Sequence, residues 1–473
     1  MSTLTHAMPR AEARPTSLPA AFAVLVLAML PAVLDQTVLA TALPTIAAQL
    51  GSIDGISHLV TVYVLASTAT TPLWGKLGDR HGRRALLGGA LSLFLVASAA
   101  CGVAQSFEQL LVARGIQGVA AGGLMSLAMA SVGDLVSPRE RARWQGRIAT
   151  VFAGAAVAGP LIGGLLVEHA SWRWVFYVNL PVGLLALAGL WRYLPAGTRE
   201  PQPRPLDVLG AGLLAVASAS ALLVLSWGGE TYSWGSPELI GLAALAVVSG
   251  AGFVIRERRA ADPVVPLAML ATPTVSVAAA GLFLVTASLF AVVVFVPVLL
   301  QVSAGFAPTE AGLLLATMTV GLTAATTIAG RRIARTGRLR RLPVLGASVM
   351  AASLTALALA APASSPALVV AGLVVFGAGF GPTSQLLVVA VQNGVERTRI
   401  GVATSTTAFF RAFGGATGAA GLGAVFAATD RPVAEAVQTT FFVAAAVAAL
   451  AAIVMVALPA AVDRDAQPAA RGA

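Results

Sequence analysis

The sequence predicts an all-α polytopic membrane protein with fourteen transmembrane helices, arranged as two pseudo-symmetric six-helix bundles plus two extra linker helices. Composition, the spacing of apolar runs and an internal repeat all favour this fold class. Of the 473 residues, 57% are hydrophobic and only 11% are charged, which is too apolar for a water-soluble surface. Runs of about 20 apolar residues are long enough to cross the hydrocarbon core, and about fourteen such runs occur.

The apolar runs form a six plus two plus six pattern. The first six runs cover 21–42, 57–75, 85–104, 108–132, 146–167 and 173–194. Two more cover 206–227 and 237–255, and the last six cover 274–300, 309–330, 342–361, 366–391, 401–426 and 436–459. We therefore expect a cytoplasmic tail at 1–20, a six-helix bundle at 21–199, two linker helices at 200–260, a second six-helix bundle at 261–460 and a cytoplasmic tail at 461–473.

The net charge of +10 comes largely from loops on one side of the predicted membrane. Basic loops such as 76–84 and 331–341 alternate with loops such as 51–57 and 360–366, which contain no Lys or Arg. By the positive-inside rule the basic side and both termini face the cytoplasm, and the protein lies in the inner or plasma membrane. Binding of nucleotides or anionic lipids by these loops is the alternative interpretation, and nucleic acid is not an expected partner.

The sequence also excludes several chemistries. The single cysteine, Cys101, lies in an apolar run, which excludes an intrachain disulfide framework and a Cys-based metal site. The four histidines are scattered, so no metal ion is expected. No GxxxxGK[ST] phosphate-binding sequence occurs, and no paired carboxylates or activated nucleophile lie in the apolar runs. We therefore expect neither an enzyme, nor a bound cofactor, nor an ATP-driven pump.

A charged segment, GKLGDRHGRR at 75–84, separates the second and third apolar runs. Because Asp79 and four basic residues cannot remain in hydrocarbon, both flanking helices are expected to end there, joined by a loop. The segment recurs in weaker form 255 positions later, with Ala334 in place of Asp79 and with matches of Gly75 to Gly330, Arg80 to Arg335, Gly82 to Gly337 and Arg83 to Arg338. The same offset links Gly146 to Gly401, Gly159 to Gly414 and Gly163 to Gly418. The repeat predicts two parallel halves with a substrate site between them.

We interpret the charged segment as a gate latch. Asp79 is expected to cap a helix N-terminus or to pair with a basic residue across the seam between the halves. Asp134 is the candidate partner of Arg80. A solvated loop that only sets topology is the alternative. The predicted latch residues are Gly75, Asp79, Arg80, Gly82, Arg83, Arg84 and Asp134.

Asp35 is the one carboxylate well inside an apolar run, and an intramembrane acid indicates function. A rise of about 1.5 Å per residue places it about 21 Å into the first helix, roughly 9 Å from the outer edge of a core about 30 Å thick. Arg114 enters from the opposite side of the membrane and reaches a similar depth by the same count. The two side chains are therefore candidates for one site.

The fifth apolar run contains a group of small residues and a proline, namely Gly159, Pro160, Gly163 and Gly164. Small residues let another helix approach closely, and proline removes a backbone hydrogen bond and bends the helix. Packing is the first explanation of this pattern. The functional interpretation adds that the bent seam hinders leakage of protons and substrate.

Candidate residues of a substrate cavity combine a few polar groups with apolar and aromatic surface. Arg411 is the second membrane-embedded arginine, and it is expected either to face the cavity or to pair with Gln385 or helix-end carbonyls. Ordinary helix packing is the alternative for most of the others. The candidates are Gln36, Gln117, Tyr63, Met125, Gln385, Phe409, Phe410 and Arg411.

These motifs resemble those of the major facilitator superfamily, and more narrowly its fourteen-helix drug:proton antiporter branch. The segment 75–84 is similar to the motif between helices 2 and 3, Arg114 to Gly118 resembles RxxQG, and Gly159 to Gly164 resembles the antiporter motif GPxxGG. Leu34 to Pro44 is similar to the first-helix motif, except that Ala40 stands where asparagine is usual. The resemblance implies that helices 1 and 4 line a central cavity, where Asp35 and Arg114 interact directly or through water.

The resemblance implies a proton-coupled secondary efflux transporter that exports lipophilic drugs or antibiotics by alternating access. We hypothesise that Asp35 takes up a proton when the cavity opens outward and releases it when the cavity opens inward, while Arg114 tunes its affinity. Burial opposes ionisation of a carboxylate, whereas a nearby arginine favours it. A cationic substrate would then compete with the proton, and a fixed structural ion pair is the alternative.

The expected partners are a small lipophilic substrate, protons and the lipid bilayer, and the protein is expected to act as a monomer driven by the proton gradient. The alternative function is export of a lipid or an endogenous metabolite with weak or no proton coupling. A membrane sensor or scaffold is disfavoured because the polar gaps, all under about twenty residues, leave no room for a soluble domain.

Overall fold

The computed structural model describes residues 17–50, 56–195, 207–229, 232–260, 262–306, 308–336, 339–363, 365–396, 399–429 and 432–459. In these ranges the regular structure is helical, apart from one isolated bridge between Gly228 and Tyr232. The predicted all-α fold is thus confirmed. The predicted tail residues 1–16 and 461–473, the connection 196–206, and Gly337 and Arg338 of the repeat lie outside the described residues, as do the side chains of Ala40 and Pro160.

The helices of the first half are α1 (Leu18–Leu50), α2 (Ile56–His81), α3 (Arg83–Val103), α4 (Phe107–Leu135), α5 (Pro138–His169), the short α6 (Trp174–Tyr177) and α7 (Asn179–Tyr193). Two further helices follow, α8 (Val208–Trp227) and α9 (Pro237–Arg259). The second half contains the short α10 (Leu267–Leu270), α11 (Pro273–Val298), α12 (Pro308–Thr336), α13 (Arg341–Ala360), α14 (Pro366–Asn393), α15 (Ile400–Ala427) and α16 (Val433–Val456).

Every predicted apolar run overlaps a long helix, but the helices extend beyond several of the predicted limits. Helix α1 continues to Leu50 rather than ending at 42. Helix α5 begins at Pro138 rather than at 146, because its first turns are polar and project past the apolar run. The sixth run is divided at Val178 into α6 and α7. Within the described residues, eleven helices are long and apolar enough to cross a membrane. The other long helices, α2, α5 and α15, carry more charged, hydroxyl and glycine residues.

The prediction of a loop at 75–84 is wrong for most of that segment. Helix α2 continues to His81, and α3 already begins at Arg83. The chain turns at the single residue Gly82, whose φ of 88° lies in the left-handed region that glycine adopts without strain. The charged side chains therefore project from continuous helix, because a helix satisfies its own backbone polar groups whether or not it has left the hydrocarbon.

Two apolar regions of the chain form separate buried cores. Residues between 21 and 194 supply one region, in which Leu25, Phe94 and Leu124 are fully buried, and residues between 269 and 458 supply the other. The halves meet where α2 packs against α15 and where α5 packs against α12. Helix α8 packs against α9 and also against both α2 and α15.

Candidate functional site

Asp35 lies at the centre of a closed polar cluster in the first half. Its side chain is fully buried, and it accepts hydrogen bonds from three side chains. Arg114 Nη1 donates to Oδ2 at 2.5 Å, Gln117 Nε2 donates to Oδ1 at 2.9 Å, and Asn179 Nδ2 donates to Oδ1 at 3.2 Å. Asp35 is therefore neutralised by one cation and held by two amides, as a buried carboxylate requires.

Arg114 is held as firmly as its partner. Its Nη1 also donates to Gln117 Oε1 at 2.7 Å, and its Nε donates to the carbonyl oxygen of Leu59 at 3.4 Å. The guanidinium carbon lies 4.3 Å from the ring centroid of Tyr63, within cation–π range. With only 1% of its surface exposed, Arg114 is a fully enclosed cation.

The cluster is assembled from five helices, with α2 contributing Tyr63 and the Leu59 carbonyl. Asp35 comes from α1 and Ser98 from α3, while Arg114 and Gln117 lie three residues apart on one face of α4. Asn179, the first residue of α7, donates to both Asp35 and Ser98 Oγ. Sequence reasoning predicted the pairing of Asp35 with Arg114 but missed Ser98 and Asn179. The signal for Asn179 was an amide inside an otherwise apolar run.

The predicted cavity residues divide into two groups. Gln117 and Tyr63 are buried within the Asp35 cluster, so neither lines an open cavity in this conformation. Gln36 is exposed, Met125 and Phe409 are half-buried, and Gln385 is buried. Phe409 stacks on Phe413, and Phe410 lies edge-on to Phe409.

Asp79 joins the two halves by capping a helix. Its carboxylate oxygens accept hydrogen bonds from the backbone N–H groups of Gly401 at 3.0 Å and Val402 at 2.9 Å, in the first turn of α15. Arg83 Nη2 donates to Oδ1 of the same carboxylate at 2.7 Å. The position suits an acid because the N-terminus of a helix carries unpaired donors and partial positive charge.

Close packing and burial surround this contact. A Cβ atom at Gly75 would collide with Ser405, and one at Gly401 would lie 2.7 Å from the carbonyl oxygen of Gly75, so neither position has room for a side chain. Asp79 lies beyond the apolar run 57–75. Burial raises the pKa of its carboxyl group, while Arg83 and the two backbone N–H groups oppose that rise.

The other charges of the segment have partners that differ from the prediction. Asp134 pairs with Arg83 rather than with Arg80. Arg80 lies 3.8 Å from Asp262, which also pairs with Lys76. The reason is geometric: Arg83 opens α3, which packs along α4, whereas Arg80 lies near the end of α2 beside the connection that follows α9. Arg84 donates to the carbonyl oxygen of Trp191, near the end of α7.

A second bridge between the halves was not predicted. Arg141 donates to the carbonyl oxygen of Gly133, near the end of α4, and to the carbonyl oxygen of Gln392 at 2.7 Å, near the end of α14. Gln392 in turn donates to the carbonyl oxygen of Met129 at 3.2 Å. A cation favours the C-terminal ends of helices, and Arg141 serves two of them at once. In the sequence, Arg141 belongs to a basic segment whose charge the positive-inside rule already explains.

The sequence comparisons identify the family. A model of the Major Facilitator Superfamily matches residues 25–419. The chain belongs to that superfamily. The predicted family membership is confirmed, and the chain is a multi-pass membrane protein of this superfamily.

Relatives of this superfamily member include proteins named for drug transport. An uncharacterized MFS-type transporter of Mycobacterium tuberculosis (strain ATCC 25618 / H37Rv) is 39% identical over 405 residues, which cover 86% of this chain and 59% of the relative. The chain thus spans less than two thirds of that relative's length. Multidrug transporter protein MdtP of Bacillus subtilis (strain 168) is 34% identical over 401 residues, covering 85% of this chain and 74% of the relative.

The fold is also that of solved superfamily structures. The crystal structure of the human organic anion transporter MFSD10 matches with a TM-score of 0.69 and 17% sequence identity, covering 92% of this chain and 99% of that one. At this identity the likeness concerns the fold alone.

The glycine motif of this superfamily member packs unevenly. A Cβ atom at Gly159 would lie 2.6 Å from Thr37 Cβ, so this glycine is needed for close contact between α5 and α1. Gly163 is buried. At Gly164, no heavy atom of the described residues would lie within 4 Å of an added Cβ. Only part of the motif therefore has a packing explanation.

Proposed function

We propose that this chain is a proton-coupled secondary transporter that exports lipophilic small molecules by alternating access. The observation that carries the proposal is the Asp35–Arg114 ion pair, which is enclosed in the bundle. A buried ion pair is often less stabilising than apolar residues of the same shape, so its presence favours a functional role over a purely structural one. The similarity to a protein named as a multidrug transporter supports drugs or antibiotics as substrates.

The conformation supports an outward-facing state. The Asp79 cap of α15, the Arg141 bridge to α14 and the hydrogen bond from Gln392 to Met129 all join the halves at the end that carries the basic residues. By the positive-inside rule this end faces the cytoplasm. The three contacts would therefore close the cavity on the cytoplasmic side, and they must break before it opens inward.

Proton binding is coupled to this change through Arg114. When Asp35 is protonated, Arg114 keeps Gln117 Oε1 and the Leu59 carbonyl as acceptors but loses its one charged partner among the described residues. A buried cation without a counter-charge is unfavourable, so protonation favours a conformation that hydrates the guanidinium or pairs it again. Because Asp35 is enclosed here, a cationic substrate competes with the proton only after the cluster opens.

The proposal includes the finer architecture. Fourteen helices span the inner or plasma membrane as bundles at 21–199 and 261–460, with α8 and α9 as the linker pair, both tails cytoplasmic and the protein monomeric. The packing of α8 against α2 and α15 supports a bracing role at the latch. The proton gradient supplies the energy, and neither a cofactor nor an enzymatic step takes part.

Export of a lipid or endogenous metabolite with weak coupling is the second candidate. The observation that favours it is the second half, where Phe290 stands 255 positions after Asp35. Because the second half has no acid at this position, proton coupling would depend on the few titratable groups of the first half. A lipid or metabolite exporter would transport without following the proton gradient.

The test is dye uptake into inside-out vesicles under an imposed pH gradient, with rhodamine 6G as a cation and sulforhodamine B as an anion on the same ring system. We expect gradient-dependent uptake of at least one dye by the wild type and its loss in Asp35→Asn. Glu108→Gln is the matched control because Glu108 is an exposed carboxylate on α4. Gradient-driven uptake that persists in Asp35→Asn at equal membrane insertion would contradict the assignment of the proton site.

A further inference from the structure

Arg411 is a membrane-embedded cation without a partner among the described residues. No described carboxylate lies within ion-pair distance, and its buried Nε has no hydrogen-bond partner there. The side chain as a whole is half-buried, with its Nε in the buried part. Arg411 is therefore neither paired within the described part of the protein nor fully packed in a core.

The described residues of the second half supply no counter-charge. The acidic residues between 273 and 456 are Glu310, Glu396, Asp430 and Glu435. Glu310 and Glu435 lie in the first turn of a helix and Glu396 follows the end of α14, so none of these three lies in a helix interior. Asp430 lies outside the described residues. Asp35 of the first half is already occupied by Arg114, Gln117 and Asn179.

Arg411 also cannot reach bulk water along its own helix. It is the twelfth residue of α15, which places it about 17 Å from the basic end at the rise of an α-helix. An arginine side chain that extends along the helix covers only about one turn or slightly more, so it cannot place its charge at the interface from this depth. An uncompensated charge at this depth is costly, and intramembrane cations of this kind line substrate pathways.

Aromatic surface lies on the same side of α15. Gly415 follows Arg411 by four residues and so shares its face. A Cβ atom at Gly415 would lie 2.7 Å from the ring of Phe290 in α11, so this ring approaches the helix one turn beyond the guanidinium. Phe409, in contrast, is two residues away and points to the other side of the helix. Phe290 thus lies against α15 one turn beyond Arg411, on the same face of the helix.

We propose that Arg411 is the substrate-binding cation and that the transported class is the aromatic organic anion with a carboxylate or sulfonate group. The planar guanidinium fork matches such groups with two parallel hydrogen bonds, and the ligand's ring would lie against Phe290. This inference rests on the proposed transport function and changes the expected charge of the substrate from cationic to anionic. An inside-negative membrane potential would also favour expulsion of an anion.

The test is equilibrium binding of sulforhodamine B to the protein in nanodiscs, measured by fluorescence anisotropy with empty nanodiscs subtracted. We expect Arg411→Gln to weaken binding about tenfold or more and Arg411→Lys to weaken it less, because lysine keeps the charge but loses the fork. Rhodamine 6G binding should not weaken in either variant. The control is Arg332→Gln, an exposed arginine of the same half.

Two results would overturn the inference: equal sulforhodamine B affinity in wild type and in both well-folded Arg411 variants, or wild-type preference for rhodamine 6G. Binding is measured without a gradient, so its outcome is independent of proton coupling. If sulforhodamine B binds through Arg411 but neither dye follows the pH gradient in vesicles, the anion site stands and the proposed proton coupling fails. If uptake follows the gradient but the Arg411 variants bind sulforhodamine B as the wild type does, proton coupling stands and the proposed anion site fails.

Discussion

The two halves of the chain treat a membrane-embedded charge in opposite ways. In the first half, Asp35 and Arg114 are buried together and share the Gln117 amide as a hydrogen-bond partner. The repeat counterparts of these two residues in the second half are Phe290 and Val369, so the pair is absent there. The second half instead carries Arg411, with no counter-charge among the described residues. The paired Asp35 is suited to exchanging a proton, whereas the unpaired Arg411 is suited to binding a charged ligand.

The largest expected effect is a difference in stability between variants of Arg114 and of Arg411. Arg114→Met leaves Asp35 as a buried, unpaired carboxylate and should reduce the free energy of unfolding by about 3–5 kcal/mol. Arg411→Met removes a cation that has no partner to strand, so the variant should be unchanged or more stable. Thermal unfolding in detergent, with the same detergent for both variants, measures the difference.

A double variant sharpens this comparison. Asp35→Asn combined with Arg114→Met removes both charges and should recover part of the stability lost in Arg114→Met alone, because the residues are coupled. Equal destabilisation by Arg114→Met and Arg411→Met would mean that the second half has a structural use for its cation, and would contradict the distinction between the halves.

A second comparison concerns repeat-related glycines. A Cβ atom at Gly414 would lie 2.6 Å from the Cα and 2.7 Å from the carbonyl carbon of Phe283, which are backbone atoms, whereas one at Gly159 meets mainly the side chain of Thr37. Gly414→Ala should therefore cost about 1–3 kcal/mol of unfolding free energy, and Gly159→Ala less, because a side chain can move aside. The measurement is again thermal unfolding. Gly164→Ala is the control because its surroundings are open, and a loss there as large as at Gly414 would refute the packing argument.

Much of the fold was predictable from the sequence, because apolar length and loop charge report directly on the bilayer. The loop assigned to 75–84 failed since charged residues end a membrane span without ending a helix, and only Gly82 breaks the chain. Asp35 and Arg114 were predictable from depth along two helices. Asn179 was not, because its contribution depends on where α7 packs, and the Asp134–Arg83 pairing depends on the way α3 packs along α4.

The latch gives a smaller expected effect. Asp79→Asn keeps the shape of the side chain but weakens its contact with the α15 N-terminus and with Arg83, for a loss of about 1 kcal/mol. The inward-open population should rise accordingly. Spin labels are placed at the exposed positions His81 and Glu396 in a Cys101→Ala background. Pulsed electron–electron double resonance would then detect a longer distance between the two labels at the basic end of the molecule. Glu140→Gln, an exposed acid at the same end, should leave the distance distribution unchanged.

The most direct test of the central claim compares two kinds of transport in the same proteoliposomes. Counterflow of sulforhodamine B without a gradient requires only binding and alternating access, whereas accumulation under a pH gradient also requires coupling. Asp35→Asn should retain counterflow and lose gradient-driven accumulation, and Arg411→Gln should lose both. Loss of counterflow in Asp35→Asn together with its persistence in Arg411→Gln would reverse the two roles and contradict the account.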